Sequence, residues 1–260
     1  MLLRHRRAGR AAAIARAAAI ARAAAVAMAA GALVLTACDS SGHASSSSSG
    51  PTVAAGSLAP VLTSTGQPVP KPLDELEAQS EDLIDIVPGG KWDEVTGDVG
   101  SIDTAWADYQ AQGAADGAPA AILTGMQSAI AALDAASRAQ DPTGTMQAAN
   151  DLSAGVVELY GLYDLGRPVG IGRLDVIGRQ IVLDAAAKDQ GKVQQQIAAA
   201  TAQVAALEPD LADHDGAKVI DESHELLAAM TAATNTQDYA TVTTKANEFL
   251  EAVDAMEQLY

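Results

Sequence analysis

Residues 131–163 read AALDAASRAQDPTGTMQAANDLSAGVVELYGLY, and residues 228–260 read AAMTAATNTQDYATVTTKANEFLEAVDAMEQLY. The two stretches are identical at eleven of their 33 aligned positions. Some of these identities are alanines, which are common in this chain, but the shared Gln-Asp, Asn and Leu-Tyr positions are more specific. Similarity at a fixed spacing is typical of a repeated structural unit.

The spacing of apolar residues predicts helices throughout residues 73–260. Such residues recur three or four positions apart, as in the series Trp92, Val95, Val99, Ile102, Trp106 and Tyr109. This spacing places one apolar stripe on each helix. Pro88-Gly89-Gly90, Asp141-Pro142 and Gly166-Arg167-Pro168 mark breaks between helices. We therefore predict an all-α fold, an antiparallel helical bundle.

The repeat predicts how these helices are grouped. We expect two related three-helix units, at about 91–165 and 190–260, joined by a linking helix from Gly170 to Lys188. Upstream of the repeat, Trp92 and Trp106 match Val193 and Leu207 if the loop length changes by four residues. Stacked hairpins of the tetratricopeptide type are the alternative, although their 34-residue signature is absent.

Leu35-Thr36-Ala37-Cys38 ends an apolar run and contains the single cysteine of the chain. The run from Ala23 to Ala37 follows an arginine-rich start, which is the arrangement of an export signal. These four residues resemble the lipobox of bacterial lipoproteins. The resemblance implies that the Cys38 thiol receives a diacylglyceryl group and that the chain is cut between Ala37 and Cys38.

The segment between this site and the helices has the composition of a tether. Residues 38–72 lack apolar periodicity, contain an unbroken serine run at 45–49 and are rich in proline. Such a segment buries too little surface to offset its chain entropy. We expect a signal peptide at 1–37, a disordered tether at 38–72, and a helical domain held at the extracytoplasmic face of the cell membrane.

The charge of the chain excludes one class of partner. The whole sequence has a formal net charge of −17. Residues 1–37 hold six of the 16 basic residues and no acidic ones, so the chain from Cys38 onward carries −23. Nucleic-acid binding relies on Lys and Arg contacts to phosphates, so we do not expect a nucleic-acid partner.

Three arginines form a candidate ligand site in a chain poor in basic residues. Arg167, Arg173 and Arg179 lie around the predicted link between the two units. A guanidinium binds carboxylate or phosphate groups through two parallel hydrogen bonds. However, Asp175 and Arg179 are four residues apart on one helix, so structural ion pairs are the alternative role.

A second candidate site contains histidines. His214 and His224 lie among acidic residues, and Asp221 and His224 are three apart, so they share one helix face and are candidate metal ligands. The alternative is a solvated acidic helix start. Asn150 and Asn247 occupy matching repeat positions, which predicts a packing hydrogen bond in each unit.

The sequence contains no recognisable catalytic signature, such as Gly-x-Ser-x-Gly, His-Glu-x-x-His or a phosphate-binding glycine loop. We therefore expect a non-enzymatic lipoprotein, without catalytic residues or a cofactor, that binds an unknown envelope protein or small ligand. The alternatives are a metal- or haem-handling lipoprotein that uses His214 and His224, and an enzyme whose acidic and histidine residues converge in a cleft.

Overall fold

The computed structural model describes residues 62–260, and this part of the chain confirms the all-α prediction. The helices are α1 Lys71–Ile86, α2 Trp92–Ala115, α3 Ala120–Arg138, α4 Pro142–Tyr160, α5 Val169–Ala186, α6 Gln190–Asp213, α7 Ala217–Asn235 and α8 Tyr239–Glu257. A 3-10 turn, Val87–Gly89, follows α1. Within this range no β-strand forms, and none of the helices has the length and apolarity needed to span a membrane.

The helix starts follow from the local sequence. The Asp189 carboxylate accepts a hydrogen bond from the Lys192 amide at 3.1 Å, and Asp238 accepts one from the Thr241 amide at 3.1 Å. Both bonds satisfy amides that have no partner inside the helix. At α4, Pro142 occupies the first turn, where its missing N–H costs nothing.

The buried apolar side chains form two separate clusters. The first cluster draws on α1 to α4 and the loop that follows, with Val169 at the start of α5 packed against it, and the second draws on α5 to α8. Helices α1 and α4 pack together, as do α5 and α8, and α4 also packs on α5. This grouping differs from the expected three-helix units, because α1 belongs to the first cluster and the expected linking helix, α5, belongs to the second.

Buried positions recur between the two sets of helices. Helices α2 and α6 are both 24 residues long, and α4 and α8 are both 19 residues long. The buried residues Val95 and Val193 are 98 positions apart, and Val156 and Val253 are 97 apart. The expected match of Trp106 with Leu207 was wrong in register. The one-residue change in spacing falls after α2 and α6, where 116–119 corresponds to 214–216.

The end of the expected tether is packed against the helices. Thr65 donates through its backbone N–H and its hydroxyl to the Leu162 carbonyl, at 2.7 and 2.8 Å. The Asp164 amide donates to the Gln67 carbonyl at 2.8 Å, and Leu62 packs on the first cluster. Residues from 62 to 72, which the sequence assigns to the tether, therefore include contacts with the helical domain. The signal segment 1–37 and Cys38 lie outside the described residues.

Candidate functional site

Helices α4 and α5 meet along a polar contact, which we call the seam. Its residues are Gln147, Asn150, Ser153, Val157 and Glu158 from α4, Gly172, Arg173, Asp175, Val176, Arg179, Gln180 and Asp184 from α5, and Glu77 and Glu81 from α1. The seam lies between the two apolar clusters. It contains two of the three arginines that the sequence singled out.

Arg179 is the centre of the most buried part of the seam. Its guanidinium donates to Ser153 Oγ at 2.7 Å and lies 3.1 Å from Asp175 Oδ2. It also lies 3.4 Å from Glu81 Oε1 and 3.8 Å from Glu77 Oε1. Ser153 in turn donates to both Glu77 oxygens, at 2.9 and 3.1 Å. We call these five side chains the Arg179 cluster.

The Arg179 cluster contains more acidic than basic groups. Glu77, Glu81 and Asp175 each offer a carboxylate oxygen within 4.8 Å of the others. Only 7% of Glu77, 4% of Asp175 and 7% of Arg179 is exposed. Within the cluster one guanidinium faces three carboxylates, in a setting of low dielectric constant where charges interact strongly. Such a cluster favours a cationic ligand group over an anionic one.

The other two arginines are also held by carboxylates. Arg173 binds Glu158 with two parallel hydrogen bonds, from Nε at 2.7 Å and from Nη2 at 2.8 Å. The hydrogen bond to Glu158 raises the Arg173 pKa above its ordinary value. Arg167, in the loop before α5, pairs with Glu257 of α8 at 3.2 Å. The structure thus brings Arg173 and Arg179 to one seam, and all three arginines form ion pairs.

A second network of side-chain amides continues the seam. Gln147 and Gln180 exchange two hydrogen bonds, at 2.8 and 3.1 Å. Gln147 also donates to Asp151 at 2.9 Å, and Gln180 donates to Asp184 at 3.0 Å. Burial raises the pKa of both aspartates, because their charged forms lose hydration. Asp184 Oδ2 is buried without a hydrogen-bond partner.

The repeated asparagines occupy different environments. Asn150 is 1% exposed and donates to the Val176 carbonyl at 3.2 Å and to Gln180 at 3.1 Å. It therefore makes the packing hydrogen bond that the sequence predicts. Asn247 is half-buried, and within residues 62–260 no equivalent hydrogen bond forms.

The predicted metal ligands are engaged elsewhere. His224 Nε2 lies 2.8 Å from Glu208 Oε1 of α6. His214 Nδ1 lies 2.9 Å from the Asp210 carbonyl, and its ring contacts Tyr260, with centroids 4.4 Å apart. Asp221 is exposed. Among residues 62–260, three or more possible ligand atoms come within 4.8 Å of one another at Glu77, Glu81 and Asp175, not at the histidines.

Glu77 was not predicted as a site residue, although its position in the sequence indicates a buried charge. Glu77 lies on the buried stripe of α1, between Leu76 and Ser80. An acidic residue on an apolar stripe requires a buried partner. The partner, Arg179, is about a hundred residues away in sequence, so local patterns did not reveal it.

The aromatic stripe of α2 packs in the first cluster. Tyr109 and Tyr163 share a hydrogen bond of 3.1 Å between their hydroxyls, and Tyr163 donates to Asp116 at 2.8 Å. The rings of Trp106 and Tyr109 have centroids 6.5 Å apart. These contacts tie α2 to the loop after α4.

Comparison with known proteins gives no further assignment: no family model, no curated protein and no solved structure matches this chain.

Proposed function

We propose that this protein is a membrane-anchored extracytoplasmic bacterial lipoprotein, non-enzymatic, that binds a partner or ligand at the cell envelope. The anchor part of the proposal rests on Leu35-Thr36-Ala37-Cys38 and on the arginine-rich, apolar segment before it. Two acyl chains hold a protein stably at a membrane, whereas one chain holds it weakly.

The helical domain of this proposal consists of two related four-helix units, α1–α4 and α5–α8. Two observations support this arrangement: the separate apolar clusters and the recurrence of buried positions 97 or 98 residues apart. Ligand sites often lie where two such units meet. The seam occupies that place.

The observation that carries the binding proposal is the Arg179 cluster. Glu77, Asp175 and Arg179 are buried between the two apolar clusters, and Glu81 is partly exposed beside them. Buried charge is costly and is rarely kept without a structural or binding role. Three carboxylate oxygens that lie within 4.8 Å of one another suit a cationic ligand or partner group, such as an ammonium, a guanidinium or a metal ion.

Native mass spectrometry of the full lipidated chain, purified without chelators, tests the binding part. We expect a reproducible added mass that is lost in the variant Glu77→Gln/Asp175→Asn. The matched control is Glu75→Gln, because Glu75 is also on α1 but pairs with exposed Lys71 at the surface. A bare protein under all conditions, or an added mass that survives the double substitution, would exclude the cluster as the site.

A metal-handling lipoprotein is the second candidate, with Glu77, Glu81 and Asp175 in place of the expected histidines. It is favoured by the approach of the three carboxylates to within 4.8 Å. Carboxylate oxygens are ligands for hard divalent cations. In the same experiment, an added mass equal to a metal ion supports this candidate, and an organic mass excludes it.

The anchor has its own test. Detergent-phase partitioning and intact mass are measured for the full chain and for Cys38→Ser. The expected wild-type chain begins at Cys38, carries diacylglycerol and enters the detergent phase, and the variant does none of these. An unmodified wild-type cysteine would refute the anchor without bearing on the binding experiment.

A further inference from the structure

The seam differs in composition from the interiors on either side of it. Two of its buried residues are apolar, Val157 at 2% exposed and Val176 at 7%, and neither belongs to the first or second cluster. By contrast, the adjacent Val156 is fully buried inside the first cluster. The change from core to seam therefore occurs within one residue of α4.

Many of the contacts that cross the seam are polar. They include the paired hydrogen bonds of Arg173 with Glu158, the bond from Arg179 to Ser153, and the amide exchange between Gln147 and Gln180. Water can replace partners of this kind when two surfaces separate. Apolar clusters have no such substitute, because exposing them loses the main favourable term in folding.

The chain crosses between the two sets of helices in the short loop from α4 to α5. Gly166 in that loop has φ +70°, a conformation that favours glycine. Hinges are a few loop residues that absorb changes in backbone angles. A loop of this kind allows α5 to move away from α4 without unfolding either helix.

We propose that the seam is a hinged joint, which opens while both apolar clusters stay folded and so exposes the Arg179 cluster. A polar interface permits relative motion more readily than a large apolar one. This inference rests on the proposed function only in naming the seam as the binding region, where opening provides the route for a ligand. The motion itself occurs without ligand.

Thiol labelling at two adjacent valines tests the opening. In the full chain carrying Cys38→Ser, Val157→Cys places a thiol in the seam, and Val156→Cys places one in the first cluster. We expect the thiol at 157 to react at least about tenfold faster than the thiol at 156 in the absence of denaturant, because local opening needs less free energy than unfolding. The rate at 157 depends weakly on low urea, while the rate at 156 rises steeply with it.

A disulfide across the seam supplies the second measurement. A Cβ built on Gly172 lies 3.9 Å from the Cβ of Val157, close to the separation found in disulfides. The thiol probe is then Val176→Cys, read in the background Val157→Cys/Gly172→Cys. Oxidising the pair is expected to slow labelling at 176 by at least about tenfold, and reducing it to restore the rate.

Either of two results would overturn the joint. One is equal labelling at 156 and 157 after correction for each variant's urea stability. The other is a rate at 176 that the disulfide leaves unchanged. Because no ligand is present, these results are independent of the native mass spectrometry. If labelling shows that the seam opens but native mass spectrometry finds no added mass, only the proposed binding role is refuted. If an added mass is found but labelling shows that the seam stays closed, only the hinged joint is refuted.

Discussion

Replacing Arg179 by Met should destabilise the protein strongly at neutral pH. The change removes the guanidinium but keeps much of the apolar stem, so it takes away a cation that lies against Glu77, Glu81 and Asp175, whose carboxylate oxygens come within 4.8 Å of one another. Removing one partner of a buried ion pair costs about 3–5 kcal/mol. For a chain of this size, 1 kcal/mol lowers Tm by about 2–4 °C, so the expected loss in Tm is about 6–20 °C.

The loss of stability in Arg179→Met should also depend on pH, because the folded and unfolded states of the variant bind protons with different affinities. In Arg179→Met the folded state crowds three carboxylates, so it binds protons more readily than the unfolded state does. The stability of the variant therefore rises as the pH falls. This makes the difference between the two proteins smaller at pH 4.5 than at pH 7.

Urea unfolding followed by circular dichroism at both pH values measures this difference. The control is Arg138→Met, which removes an ion pair with Asp134 on the surface of α3, where the arginine side chain is 76% exposed. Exposed pairs contribute about 0–1 kcal/mol. A loss for Arg179→Met as small as the loss for Arg138→Met, or a loss independent of pH, would refute this account of the cluster.

Three further predictions concern packing, burial and symmetry. In Gly216→Ala the new Cβ lies 2.6 Å from a backbone oxygen, so the substitution should lower the free energy of unfolding by about 1–3 kcal/mol, measured with urea. In Gly100→Ala the new Cβ meets nothing within 4 Å, so the substitution should raise that free energy by about 0.5–1 kcal/mol. Equal effects of the two substitutions would contradict this packing argument. Burial raises the pKa of Asp184 in the folded state, so the folded wild type binds a proton more readily than the unfolded chain. The wild type should therefore gain stability relative to Asp184→Asn as the pH falls from above that pKa towards 3.8. Parallel profiles of stability against pH for the two proteins would contradict this prediction. The exchange Glu81→Arg/Arg179→Glu should recover most of the stability lost in Arg179→Glu alone, measured as Tm, and a double variant no more stable than the single one would show that the positions are not interchangeable.

Much of the helical architecture was predictable because helix formation depends on local sequence. The stripe of α2 from Val95 to Tyr109 and the proline start of α4 were both readable from spacing and turn chemistry. The role of α1 was missed, because at a spacing of 98 residues it shares few identical residues with α5. Their buried positions agree all the same, as with Leu73 and Ile171.

The candidate site was only partly predictable, for a related reason. The sequence singled out Arg173 and Arg179 by their rarity in an acidic chain. Their partners Glu158 and Glu77 are 15 and about a hundred positions away, so the pairing depends on how α1, α4 and α5 pack. The histidines attracted attention through local acidic neighbours, but His224 bonds to Glu208, which lies on another helix.

The charged residues of the Arg179 cluster occupy corresponding positions of α1 and α5. Glu77 and Asp175 are 98 positions apart, and so are Glu81 and Arg179. Glu77 approaches Arg179, which corresponds to Glu81 at this spacing. Glu81 approaches Asp175, which corresponds to Glu77. This reciprocal pattern is that of a two-fold contact between identical surfaces. Acidic residues at all four of these positions would bring four carboxylates together, and Arg179 is the one of the four that is basic. Arg179 thus lowers the repulsion among three neighbouring carboxylates, which is why substitutions at Arg179 test the fold and the seam together.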